Sequence, residues 1–154
     1  MATALFIKPI DLKRNSIIDG SVDVDKFIGF VKIAQEIHIR NYLGTDLYNK
    51  ISTDILGTGG ASLTGNYLTL VNTYIQPMLI HFAMVDYLPF AAYSLKNGGL
   101  FKHTSENSES VSKEEVDYLI EKHRDIAEYY TRRFIDYMSF NQNLFPEYTS
   151  NTND

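Results

Sequence analysis

His38, His81, His103 and His123 are the side chains best equipped for metal binding or proton transfer in this chain. Each stands alone, with no HxxxH or HExxH pair to put two imidazoles on one helix face. His38 and His123 fall on apolar helix faces, and His81 shares a face with Tyr74, Met78 and Val85. A lone histidine in that setting is expected to be a packed residue with one hydrogen bond. Asp19, Asp23 and Asp25 cluster but miss the calcium-loop spacing and its closing glutamate, so turn and cap roles are expected. Gly60 and Gly65 have the GxxxxG spacing of a phosphate loop. Asn66 and Tyr67 then stand where lysine and a hydroxyl residue would reach phosphate and magnesium, so a plain loop is expected. Cysteine is absent, and no serine sits in a GxSxG elbow. Most acids fall on predicted solvent faces, where paired-carboxylate catalysis is not expected. No catalytic residue, cofactor or metal ligand is therefore expected, and the protein reads as a non-enzyme.

The elements that carry these residues read as helices. The chain has 154 residues, 44% hydrophobic and 21% charged, which suits one domain with its own core. The net charge of −5 argues against a dedicated nucleic-acid binder. Lys8, Lys13 and Arg14, and separately Arg132 and Arg133, are small basic clusters, short of a binding stripe. The N-terminus lacks the order of a signal peptide, and Gln76, His81, Asp86 and two prolines interrupt the most apolar window, so no membrane span is expected.

Leu5-Phe6-Ile7-Lys8 has β character, and Pro9 could open a short helix over Ile10–Asn15. Asp23 caps a predicted helix to about Tyr42, with Val24, Phe27, Ile28, Val31, Ala34 and His38 on one face and Phe30, Ile33 and Ile37 widening it. Gly44 ends it and Thr45 caps a second helix, Asp46–Leu56. Beyond the flexible loop 57–62, a third helix is predicted over Gly65–Gln76. A fourth runs from Pro77 to about Lys96, kinked at Pro89 and stopped by Asn97-Gly98-Gly99. Leu100–Ser110 reads as an exposed loop. Ser112 and Glu115 form a capping box for the last helix, Lys113 to about Ser139, roughly 40 Å long, whose predicted apolar stripe is Val116, Leu119, Ile120, His123, Ile126, Ala127, Tyr130, Phe134 and Met138. The predicted fold is an all-α bundle of about five helices with a long C-terminal helix. Residues 1–140 form the domain, and 141–154 form an extended polar tail, expected to be disordered in the isolated monomer and removable without loss of the fold.

Eleven tyrosines and nine phenylalanines exceed what chemistry here requires. Tyrosine suits protein interfaces because an apolar ring ends in a polar tip, and the same aromatics could equally fill a core that lacks tryptophan and cysteine. Tyr129, adjacent to the inward-facing Tyr130, is expected near the surface as a contact residue. Leu5, Phe6 and Ile7, with Leu144, Phe145 and Tyr148, are expected to dock on partners by strand addition or as apolar anchors.

Three stretches, Asp11–Ile51 with its YLG…LY corner, Tyr74–Gly99 and Ser105–Met138, together resemble head–tail connector (adaptor, or head-completion) proteins of tailed bacteriophages, those infecting Bacteroidota among them. The resemblance covers about Pro9–Met138 and rests on the order of elements. It implies a homo-oligomeric ring, commonly a dodecamer, at the neck of the virion. Such a ring docks between the portal protein and the tail or a second neck protein, and DNA passes through without specific binding. It implies assembly in the host bacterial cytoplasm. A small helical module that binds a host protein is the other reading.

Overall fold

A computed structural model of the chain describes residues 4–8, 11, 24–91, 93–96, 99–102 and 112–150. The turn at Asp19–Ser21, the Asp23 cap, His103, Lys13, Arg14, residues 151–154 and all but Asp11 of the predicted helix 10–15 lie outside them.

Helix α1 runs as Val24–Ala34, a π-helical turn at Gln35–Ile39, and Arg40–Leu43. It stops at Gly44, whose φ of 79° and ψ of 158° lie in a region open essentially to glycine alone. The Gly44 N–H bonds to the Arg40 carbonyl, and the Gly44 carbonyl accepts from Tyr48, so one residue closes α1 and opens α2. Helix α2 is Thr45–Leu56. Thr45 is its first residue, and Gly44 holds the cap position that the sequence pattern assigned to Thr45. Gly57, left-handed at φ 69°, ends α2 by donating to Thr53 and Asp54.

The third and fourth predicted helices are one. Helix α3 is Gly65–Leu70, a π turn at Val71–Ile75, Gln76–Tyr87, and a closing 3-10 turn at Leu88–Phe90. Pro77 was expected to start a new helix because it lacks an N–H and crowds the carbonyl four residues back. The π turn removes the conflict: the Gln76 N–H reaches back five residues to Val71, which widens the helix just before the proline ring. By length and composition Gly65–Phe90 is the one helix among the described residues able to cross a membrane, and half of its most apolar stretch is buried inside this fold.

Pro89 ends α3 instead of kinking it. The expected continuation to Lys96 and the loop after it are replaced, over the described residues, by an antiparallel hairpin of β1, Tyr93–Lys96, and β2, Gly99–Lys102. Lys96 pairs with Gly99, so Asn97-Gly98, a favoured two-residue hairpin sequence, falls between the paired ends.

Helix α4, Lys113–Phe140, starts at the expected capping box: the Glu115 N–H donates to Ser112 Oγ and the Ser112 N–H to the Glu115 carboxylate, both at 3.2 Å. It buries His123, Ala127, Thr131, Phe134 and Met138 against α3. Helix α3 also packs on α1, so it forms the middle of an all-α body. Its own middle is mostly apolar, with Met78, Leu79, Ile80, Phe82, Ala83 and Met84 all buried around a half-buried His81.

Both ends of the chain differ from expectation. Residues 4–8 form no strand, and Ala4, Phe6 and Ile7 join the core. Through Ser150 the tail is folded back: a 3-10 turn at Gln142–Leu144 leads into a short helix α5, Pro146–Thr149, lying against α2. Phe145 is fully buried, edge-on to Tyr67 at 5.3 Å, and Tyr148 meets Phe134 edge-on. The Tyr67 hydroxyl donates to Glu147 at 2.6 Å. Two aromatic rings, Leu144 and the Tyr67–Glu147 hydrogen bond tie down a segment that otherwise looks polar.

Candidate interaction surfaces

Of the seven residues the sequence offered for partner contacts, one is at the surface. Tyr129 is 49% exposed on α4. Phe6, Ile7 and Phe145 are in the chain's own core, and Leu5, Leu144 and Tyr148 are half-buried against it. In the single chain they pack into grooves of this chain's own.

The apolar surface available for a partner comes instead from helix faces. On α4, Leu119, Ile126, Tyr129 and Phe140 are exposed, Phe140 to 87%. Their spacing of seven, three and eleven keeps them on one stripe, with Lys122 and Arg133 interleaved. The Arg133 guanidinium lies over the Tyr74 ring at 5.6 Å. On α1, Ile33 and Ile37 are 48% and 58% exposed, one helical turn apart. Phe30 extends this patch and stacks on the exposed Phe90 at 5.7 Å. Because α3 packs on both α1 and α4, these patches belong to different outer helices of the body. The sequence placed Leu119 and Ile126 on the buried stripe of α4. That stripe is narrower than its apolar residues, so they fall on its solvent flank.

The histidines do not stay isolated. His81 on α3 and His123 on α4 bring their Nδ1 atoms to 3.0 Å, with ring centroids 5.3 Å apart. Each nitrogen lies roughly 1.15 Å from its own ring centre, so the two rings point at each other nearly in line. That geometry suits an N–H···N hydrogen bond between one protonated and one bare Nδ1. Burial, and secondarily the neighbouring ring, lowers His81 to about 4, and burial lowers His123. His38 stacks on Phe82 at 4.1 Å, and its Nε2 lies 3.7 Å from Asp86. Burial lowers its pKa and Asp86 partly offsets this. Among the described residues no three His, Asp or Glu side chains converge as a metal site. Gly60 lies between α2 and α3 and Gly65 is the first residue of α3, with a helix and not a strand before the loop, so the strand–loop–helix frame of a phosphate loop is not what holds them.

Two glutamines, Gln35 buried and Gln76 half-buried, mark a third surface, one that the sequence did not signal. Gln35, fully buried, donates from Nε2 to the Ala4 carbonyl at 2.9 Å and accepts from the Phe6 N–H at 2.8 Å. Gln76 Nε2 donates to the Phe6 carbonyl at 2.9 Å. The Phe6 ring stacks on Tyr48 at 5.0 Å. A cavity of 610 Å³ continues from Leu5 and Lys8 between the end of α2 and the start of α3.

Residues 39–154 match the model of a protein family described as a family of unknown function, DUF6712. No curated protein and no solved structure matches the chain.

Proposed function

The chain belongs to this family of unknown function, and on that premise we propose that it is a non-enzymatic structural subunit of a tailed-phage neck. Copies assemble into a ring, commonly of twelve, that joins the capsid portal to the tail and lets DNA through. One observation carries the reading: a single chain presents two unlike apolar helix patches, Ile33 with Ile37 on α1 and the Leu119–Phe140 stripe on α4. A two-fold dimer matches a patch with itself, whereas two different patches that fit each other make a heterologous contact that repeats head to tail and forms a ring when its rotation closes. Fully burying each half-exposed Ile or Leu would contribute on the order of 1 kcal/mol, so several of them per contact favour association. The net charge of −5 suits a channel that DNA must slide through without sticking. The neck of the virion as its location rests on the resemblance of the sequence to connector proteins.

The test uses purified full-length chain with and without portal protein, sized by mass photometry, and particles imaged at the neck. A ring on its own or on the portal is expected, and Ile37→Asp or Ile126→Asp should abolish it while leaving the monomer folded. A chain that stays monomeric with portal present and adds no density to the neck refutes the proposal.

A further inference from the structure

We propose that the groove closed by Gln35 and Gln76 is a peptide-binding site, and that between assembled copies it takes residues 4–8 of a second copy in place of its own. The inference needs only two copies of the chain and does not depend on the neck reading.

The segment is held as a ligand is held. Through Gln35, one carboxamide accepts from one backbone N–H and donates to one backbone carbonyl, on either side of Leu5. A neighbouring strand's peptide group would offer the same pair of bonds. Gln76, from a different helix, adds a third bond to Phe6. The side chains of Ala4, Phe6 and Ile7 supply the apolar contact, with Phe6 stacked on Tyr48.

Both helices are deformed at this site. The π turn of α1 begins at Gln35 itself, and that of α3 ends immediately before Gln76. Such turns give up regular helix bonding and recur at functional positions. Here they lie beside the two residues that hold the peptide. A 610 Å³ cavity adjoins the segment, lined by Leu5, Phe6 and Lys8 on one side and by residues of α2 and α3 on the other.

These hydrogen bonds join residues 29, 31 and 70 positions apart. They would be the same whichever copy supplied the segment. Fifteen residues, 9–23, separate the segment from α1. Extended, they could span roughly 50 Å, further than the ~40 Å across a body this size. Exchange then conserves every contact, and the balance depends on concentration. A tethered segment meets its own groove at an effective concentration on the order of millimolar, which favours the closed monomer in dilute solution. Neighbours held side by side remove that advantage, the usual route to a swapped assembly.

The chain lacks cysteine, so introduced thiols report cleanly. Lys8 and Asn72 are exposed and line the same cavity. Full-length Lys8→Cys chain carrying a size tag is mixed with full-length Asn72→Cys chain. The two are unfolded and refolded together from roughly 10 µM to roughly 1 mM, a range that brackets the tether's effective concentration. They are then treated with a short bis-maleimide and sized under denaturing conditions. The expected result is a tagged–untagged heterodimer whose yield rises with concentration and falls at least severalfold when the Asn72→Cys chain also carries Gln35→Leu or Gln76→Met. The double variant, with both cysteines on one chain, should link internally at the lowest concentration. Internal linking with no heterodimer at the highest concentration overturns the exchange, as does a heterodimer indifferent to both glutamine variants. A double variant that never links overturns the seating of the segment.

Discussion

Replacing Gln35 with leucine should destabilise the monomer far more than its modest polarity suggests. Leucine fills nearly the same volume, so no large cavity forms, and the effect isolates the carboxamide. The variant leaves the Phe6 N–H and the Ala4 carbonyl without the partners they have at 2.8 and 2.9 Å, in a site where Phe6 is 2% exposed. Each buried backbone group left unpaired costs about 1–3 kcal/mol, so the pair predicts about 3 kcal/mol or somewhat more. The cost has a ceiling. Once it exceeds the free energy that docks residues 4–8, the segment leaves the groove and both groups find water. For a chain of this size about 3 kcal/mol corresponds to on the order of 10 °C in Tm. Urea denaturation gives the free energy, and amide exchange at Phe6 separates the two regimes. Undocking brings exchange there close to the unprotected rate, while a strained but docked segment stays protected. A Gln35→Leu chain within about 0.5 kcal/mol of the parent, with Phe6 still protected, would refute the account of how the N-terminal segment is held.

Phe145→Ala should cost about 3–5 kcal/mol and open the chain to proteolysis near Asn141, because the ring is wholly buried against Tyr67 and Tyr137. For the same reason deletion of residues 141–154 should lower Tm clearly. Gly44→Ala should lose about 1–3 kcal/mol in thermal unfolding, since any Cβ is strained at that φ and ψ. Stability should fall as pH drops from about 6.5 toward 4: His81 is held neutral to about 4 in the fold but takes a proton near 6.5 when unfolded, so acid favours the unfolded chain. In a pH series of urea melts, His81→Asn should flatten the slope in that window, and an unchanged slope would assign it to other groups.

Local features of the fold were legible in the sequence because their partners are three or four residues away. The Ser112–Glu115 box and the glycine at Gly44 each specify a helix end by themselves. The long α4 followed from its periodicity. Asn97-Gly98 is also a local hairpin signal; it reads as a helix stop until Pro89 has ended α3 earlier.

Everything that depends on which surface meets which was decided by the tertiary structure. Pro77 sits inside a helix because a π turn precedes it. His81 and His123, 42 positions apart, face each other because α3 packs on α4. Tyr67 finds Glu147 across 80 positions, and Phe145 turns an apparent tail into core. Exposure was misread for the same reason: Phe6 and Ile7 look like free anchors and are buried, whereas Leu119 and Ile126 look like core and face solvent. A hydrophobic side chain records that its burial is favourable, and only the packed chain determines whether its own groove or another molecule provides it.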